Sequence, residues 1–131
     1  MGQQQLLLII LGVIIVGIAI AVGLSMFTAQ SIGANKDAII SDMTNLSATA
    51  YQFRIRPVAM GGGGGTTFVG YTLASVLATN ENATYTLGAL TESAITFSAI
   101  SAQDAANTVA VTYTLTAGKM VPVFTYGGAF L

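Results

Sequence analysis

The stretch QQQLLLIILGVIIVGIAIAVGL, residues 3–24, decides the fold. Between Leu6 and Leu24 it contains no polar side chain. A helix continued to Phe27 is roughly 33 Å long at about 1.5 Å per residue, which matches the hydrocarbon thickness of a bilayer. A helix that is apolar on every side must be covered on every side. The sequence therefore predicts that this segment lies in lipid or in a dry core made by copies of itself.

A cleaved secretory signal is the alternative for this segment. Such a signal has a basic start, an apolar stretch of roughly 7–15 residues and a small-residue cleavage site. No Lys or Arg precedes Lys36, and the apolar run is longer than that range. The sequence therefore favours the interpretation that residues 1–30 form a retained assembly or transmembrane helix and not a cleaved signal.

The composition excludes several functional classes. Hydrophobic residues make up 53% of the chain and charged residues only 7%, with a net charge of −1, whereas soluble domains carry roughly 25% charged residues. A nucleic-acid partner would need a clustered basic face. The absence of Cys and His removes disulfides, thiolate metal sites and the commonest general base. We expect no enzymatic activity, no catalytic residue, no cofactor, no metal and no nucleic acid.

A helical period resumes after the apolar segment, in AIISDMTNLSATAYQFRIRP at 38–57. Apolar residues recur there at spacings typical of one helix face: Ile39, Met43, Leu46, Ala50 and Phe53. Pro57 ends the helix, because the residue before a proline avoids helical geometry. Gly33 is a candidate kink or break. The sequence predicts one long helix from about residue 3 to 56, whose second half, 31–57, is amphipathic.

The period changes to two in residues 58–131. GGGGG at 61–65 predicts a flexible linker or loop, and it is not a phosphate loop because the Lys-Ser/Thr ending is missing. Alternation predicts half-buried antiparallel strands in TTFVGYTLA (66–74), ATYTLGA (83–89), SAITFSAI (93–100) and NTVAVTYTLT (107–116). AGK at 117–119 predicts a hairpin turn, with Gly118 at positive φ. Pro122 demotes the final run to an edge strand.

Together these elements predict an α+β fold, a long N-terminal helix packed on a small antiparallel head domain, 58–131. A sheet of this size must cover its apolar face. We expect the amphipathic helix half to cover it, through Ile39, Met43, Leu46 and Phe53.

This arrangement resembles type IV pilins and their archaeal counterparts, and residues 3–27 carry the likeness in sequence. The resemblance implies a structural subunit of an extracellular filament, anchored in the membrane before assembly. It also implies polymerisation with identical subunits through the apolar helix, driven by the cell's assembly machinery. Only Met1 and Gly2 precede the glutamines, so we expect either that a leader has been removed or that the lineage lacks one. Bacterial members carry a glutamate early in the apolar helix, whereas the early positions here are Gln3, Gln4 and Gln5. Archaeal members commonly lack that glutamate too.

Small side chains on the apolar helix are candidate contacts between copies, because helices leaving lipid associate by close packing. One row comprises Gly17, Ala21 and Ser25. A second row, Gly12, Ala19 and Gly23, lies within about 40° on a helical wheel. Gln3, Gln4 and Gln5 are expected to accept hydrogen bonds from the first backbone N–H groups and the chain start.

Two further readings stay open at this stage. The chain is alternatively a single-span membrane-anchored surface domain acting as a monomer, or a pseudopilin-like part of a secretion or uptake machine.

Asn45 and Asn82 begin triplets of the N-glycosylation type. Arg54 and Arg56 are expected to contact helix-end carbonyls, to pair with a neighbouring subunit, or to remain solvated.

Overall fold

The structure, a computed structural model, describes residues 2–131. The long helix α1 spans Gly2–Ile55 and is followed by a 3₁₀ turn at Val58–Met60 and a short helix α2 at Ser75–Ala78. Four strands come next: β1 Ala83–Leu90, β2 Ala94–Ser101, β3 Thr108–Thr116 and β4 Lys119–Gly127. A 3₁₀ turn at Gly128–Phe130 closes the chain. The chain forms two compact units, Met1–Gly33 and Ala34–Leu131.

The described part of the first unit consists of the apolar part of α1. Helix α1 runs through Gly33 without a break, so the break considered from the sequence does not occur. The helix ends at Ile55, one residue before the expected limit, and Pro57 stands at the start of the following 3₁₀ turn. The long helix predicted from residues 3–56 is confirmed.

The second unit contains the amphipathic end of α1 and a four-stranded antiparallel sheet in the order β1-β2-β3-β4. Residues facing the helix alternate with outward ones along the strands, as the period of two predicted. The α+β arrangement of a long helix packed on a small antiparallel sheet is therefore confirmed. Strand β4 lies at the edge and contains Pro122, as expected.

The core of this unit lies between α1 and the inner sheet face. Ile39, Met43 and Leu46 are buried, and Phe97 and Val111 face them from the central strands. Burying a side chain of this size contributes about 1.5–3 kcal/mol. The helix stripe thus supplies one wall of the core.

Aromatic side chains form a continuous row through this core. The rings follow one another at centroid distances between 5.7 and 6.5 Å, in the order Phe53, Tyr71, Phe97, Tyr113, Phe124 and Tyr126. Four of the five contacts are edge-to-face and the last is stacked, which are the arrangements that ring quadrupoles favour. The row links α1, through Tyr71, to strands β2, β3 and β4.

The strand expected at 66–74 does not form. Gly70 has φ +95°, and the N–H of Tyr71 donates to the Phe68 carbonyl in a turn. Phe68 and Tyr71 are buried while Val69 is exposed, so the burial does not follow the predicted alternation. The segment is an irregular loop because Gly70, at positive φ, bends the chain and prevents it from continuing as a strand.

The glycine run at 61–65 is an ordered helix cap and not a flexible linker. The N–H groups of Gly63 and Gly65 donate to the carbonyls of Phe53 and Arg54, at 2.9 and 2.6 Å. The N–H of Gly64 donates to the Arg56 carbonyl at 2.9 Å. The last carbonyls of a helix lack intrahelical partners. The run supplies those partners, which the sequence alone did not reveal.

The β3–β4 connection is the expected tight hairpin. Ala117 and Gly118 both have positive φ, 51° and 78°, as a two-residue type I′ turn requires. Thr116 pairs with Lys119 across the turn. Lys119 therefore begins β4 at the tip of the hairpin.

Candidate assembly surface

The apolar part of α1 presents its side chains outward in every direction. Each large apolar residue from Leu6 to Phe27 is between 52% and 72% exposed. By length and composition, α1 is the one helix in the described residues that is able to cross a membrane. Monomeric soluble proteins rarely expose contiguous apolar patches above a few hundred Å². This surface is compatible with a membrane anchor.

The small residues singled out from the sequence lie on this exposed helix. Gly17, Ala21 and Ser25 are exposed, and the continuous helix keeps their four-residue spacing. Gly12, Ala19 and Gly23 of the second row are exposed too, and the continuous helix keeps their spacings of seven and four residues. A Cβ added at any of these glycines would meet no atom within 4 Å. Each position is thus open to close approach by another helix.

Gln3, Gln4 and Gln5 occupy the first turn of α1 and are exposed. No acidic residue lies in that turn. The first four N–H groups of a helix lack intrahelical acceptors, and glutamine side-chain oxygens are acceptors without charge. The collar of hydrogen bonds expected from these residues remains a prediction.

The residues expected to cover the head divide into two groups. Ile39, Met43 and Leu46 are buried in the core. Phe53 is half-buried, and its ring packs edge-to-face on Tyr71 at 5.7 Å. Phe53 thus covers the 66–74 loop, the segment for which a strand was expected, and not a strand of the sheet.

A polar cluster joins α1 to the start of β1, and we call it the Asp42 cluster. Its members are Asp42, Asn80, Asn82 and Tyr85. Asp42 Oδ2 accepts three hydrogen bonds, from Asn80 Nδ2 at 2.8 Å, Asn82 Nδ2 at 2.9 Å and the Tyr85 hydroxyl at 2.6 Å. Asn80 Oδ1 in turn accepts the N–H groups of Asn82 and Ala83, which shapes the turn into β1. The cluster fixes one carboxylate against the sheet.

The two acidic groups of the cluster are shifted in opposite directions. Partial burial raises the pKa of Asp42, but the hydrogen bonds from Tyr85, Asn82 and Asn80 outweigh it and leave that pKa below its usual 3.8. Burial and the hydrogen bond to the Asp42 carboxylate raise the pKa of Tyr85 far above its usual value. The cluster therefore holds an ionised carboxylate and a neutral phenol.

A groove lies beside the Asp42 cluster, and we call it the α1–α2 groove. It has a volume of about 260 Å³. Its polar walls are Asp42, Asn45, Thr49, Asn80 and Tyr85, and its apolar walls are Leu46, Val76 and Leu77. A second groove of about 430 Å³ adjoins it, since Thr49 and Leu77 line both.

The two triplets of the glycosylation type differ in their surroundings. Asn82 is half-buried and its amide donates to Asp42. Asn45 is exposed on α1, but the Ser47 hydroxyl of its triplet is buried and donates to the Thr44 carbonyl. Glycosylation at both positions stays a prediction.

The arginines at the end of α1 have different surroundings. Arg54 donates to the backbone carbonyls of Glu92 and Thr66 at 3.3 and 3.2 Å, and its guanidinium lies over the Phe68 ring. These carbonyls belong to residues outside α1, so Arg54 does not make the contact with helix-end carbonyls expected from the sequence. Arg56 is exposed and lines the second groove.

Within residues 2–131, no group of three or more His, Cys, Asp or Glu side chains is arranged to hold a metal ion. Comparisons of the chain with protein families, with curated proteins and with solved structures give no match.

Sequence reasoning did not find the Asp42 cluster. Asp42 stands next to the apolar stripe, directly before Met43, and that position is a signal for a carboxylate at the edge of the core. Its partners lie at positions 80, 82 and 85, so only the fold brings the donors to it.

Proposed function

We propose that this chain is a structural, pilin-like subunit of an extracellular helical filament at the cell surface. The observation that carries the proposal is the apolar surface of α1 from Leu6 to Phe27, exposed on every side. Before assembly, lipid covers this surface. In the filament, the equivalent helices of other copies cover it.

The small-residue rows explain how such a helix exchanges lipid for protein. Moving between two apolar surroundings gains no hydrophobic free energy, so the contact must come from close packing. Gly17 and Ala21 stand one turn apart and allow a neighbouring backbone to approach. Two rows on one helix provide for more than one neighbour, as a filament subunit requires.

The test replaces Gly17 or Ala21 by leucine in the full chain. We expect both variants to enter the membrane normally and to lose sheared filaments in electron micrographs, because the larger side chain holds neighbouring helices apart. Ile14→Leu is the matched control, since it conserves volume on the same helix. Normal filaments from both leucine variants would reject the packing rows.

The glutamines have a separate test. Replacing Gln3, Gln4 and Gln5 together by leucine removes the neutral acceptors, whereas replacement by serine retains hydroxyl acceptors. We expect slower assembly and lower heat resistance for the leucine variant, with a smaller effect for the serine variant. Wild-type assembly by the leucine variant would show that the collar has no role.

A chain that stays in the membrane as a monomer would favour the alternative, a single-span surface domain. Crosslinking of the wild-type chain in intact cells separates the two functions. A monomer at every crosslinker concentration, with no fibre after shearing, would overturn the filament proposal.

A further inference from the structure

The Asp42 carboxylate is a prearranged acceptor with a free oxygen. All three hydrogen bonds described above reach Oδ2, and within residues 2–131 none reaches Oδ1. No cation of the described chain forms an ion pair with it. The carboxylate therefore presents a negative charge in the α1–α2 groove, with one oxygen available to a partner.

The four cations of the chain differ in how far their own chain engages them. Lys36 donates to the Phe130 carbonyl at 3.2 Å and lies over the Tyr126 ring at 4.0 Å. Arg54 contacts two carbonyls, and Arg56 lines the groove adjoining the α1–α2 groove. Lys119 is exposed, and in the part of the chain that the structure describes its side chain makes no hydrogen bond.

Lys119 also lies at the tip of the β3–β4 hairpin. It follows the two-residue turn of Ala117 and Gly118, whose small side chains make the hairpin tip narrow. No other charged residue lies between Asp104 and the end of the chain. A single positive charge is thus carried on a narrow, otherwise uncharged tip.

The tip and the groove lie at opposite corners of the sheet. The register pairs Lys119 with Thr116 at the end where β1 finishes, whereas Asn82 precedes the start of β1. Across the sheet they are three strand spacings of about 4.8 Å apart, and along it they are one strand length apart. The diagonal distance between them is roughly 30 Å. The two surfaces of one copy therefore cannot meet each other.

We propose that the β3–β4 hairpin tip of one copy inserts into the α1–α2 groove of the next copy, with Lys119 paired to Asp42. The contact joins two different surfaces, so it is head-to-tail, and repeating it propagates as a ring or a helix. Val76, which is 85% exposed at the groove wall, and the exposed Val121 behind the tip add apolar area. The inference rests on the proposed filament function and names the contact between heads.

The test uses the full chain with Asn45→Cys and Thr116→Cys together. Thr116 is exposed and pairs with Lys119 at the tip, so this variant retains the lysine. The native chain has no cysteine. The Cα atoms of a disulfide lie within about 7 Å, whereas the tip and the groove of one copy lie roughly 30 Å apart, so an intrachain disulfide is excluded. Oxidation of sheared filaments should give a ladder of dimers, trimers and higher species. Mixing chains that carry one cysteine each should give dimers only, because each copy then offers one end of the contact.

The matched control is Asp37→Cys with Thr116→Cys. Asp37 is an exposed carboxylate on the same helix, but five residues before Asp42 it points about 140° away. We expect monomers from this control. If the Asn45→Cys and Thr116→Cys variant forms filaments that give no ladder, or no more than the control, the contact is overturned and the filament function stands.

A second arm changes the charge without touching the core. Lys119→Glu should lower the filament yield about tenfold, because it sets two like charges together, and Lys119→Arg should retain the yield. An unchanged yield from Lys119→Glu would overturn the pairing. Absence of filaments from the wild-type chain would reject the proposed function and this contact with it.

Discussion

Tyr85 and Tyr113 are both buried tyrosines of the core, but their hydroxyl groups differ in partners. Tyr85 donates to Asp42 at 2.6 Å, whereas the Tyr113 hydroxyl has no hydrogen-bond partner within residues 2–131. A hydrogen bond to a charged group contributes about 1.5–3 kcal/mol, and an unpaired buried hydroxyl costs about 1–3 kcal/mol. The same substitution should therefore have different effects at the two positions.

We expect Tyr85→Phe to lower the free energy of unfolding by about 1.5 kcal/mol, the low end of that range because Asp42 is partly exposed. Tyr113→Phe should leave stability unchanged or raise it by up to about 1 kcal/mol. Urea unfolding of the full chain in detergent measures both. Equal losses in the two variants would contradict the assignment of the hydrogen bond.

The shifted pKa values at these residues predict stability that declines at both ends of the pH range. The pKa of Asp42 is lowered in the folded state, so its contribution is full above its unfolded pKa and is lost as the pH falls through the folded value. The pKa of Tyr85 is raised, so its contribution is present below about pH 10 and is lost as the pH rises beyond.

Thermal unfolding at a series of pH values tests this at Asp42 and Tyr85. We expect a plateau between about pH 5 and pH 10, with an acid decline that weakens in Asp42→Asn and an alkaline decline that weakens in Tyr85→Phe. An alkaline limb that is identical in the wild type and Tyr85→Phe would contradict the role of Tyr85.

At the scale of elements, the end of α1 depends on glycines that have no room for a side chain. A Cβ at Gly62 would overlap the Arg56 carbonyl oxygen, and a Cβ at Gly63 would overlap the Thr67 carbonyl oxygen. At Gly33, inside the same helix, a Cβ would meet nothing within 4 Å. One chemical change thus tests both a cap and a helix interior.

Gly62→Ala and Gly63→Ala should each destabilise the second unit by more than about 2 kcal/mol, because backbone atoms must move or the cap must open. Gly33→Ala should stabilise by up to about 1 kcal/mol through helix propensity. Circular dichroism melting compares the three variants. Tolerance of alanine at 62 and 63 would mean that the run acts as a linker after all.

At the scale of the whole molecule, residues 34–131 form one compact unit that takes part of its core from α1. Ile39, Met43 and Leu46 are buried there, so a fragment without them exposes the inner face of the sheet. The fragment 58–131 is also small, and domains of about 60 residues bury only about 60% of their unfolded surface, which leaves them marginally stable.

We expect residues 34–131 to unfold cooperatively and to stay soluble without detergent, and residues 58–131 to aggregate. The physical reason is that the shorter fragment lacks one wall of the core while the longer one lacks only the apolar surface of Leu6 to Phe27. Thermal melts and size-exclusion chromatography measure both. A matching cooperative transition in the two fragments would show that the sheet is independent of α1.

The elements that the sequence determined by itself are those whose signal is local and repeated. The run from Leu6 to Leu24 has no alternative to a helix, because a backbone in a dry environment must satisfy its own hydrogen bonds. The period of two in β1, β2 and β3 and the stripe from Ile39 to Phe53 record which face is buried. The two-residue turn at Ala117 and Gly118 follows from the φ values that a hairpin needs.

The tertiary structure alone decided where residues distant in sequence meet. It turned the glycine run 61–65 into a cap, because the free carbonyls of α1 stand where those N–H groups return. It left 66–74 irregular, because Gly70 bends the chain and Phe53 covers Tyr71 there. It set Asp42 of the helix against Asn82 and Tyr85, because the sheet folds back on α1 some forty residues later. A local pattern records burial and period, but a contact between distant residues depends on the path of the whole chain.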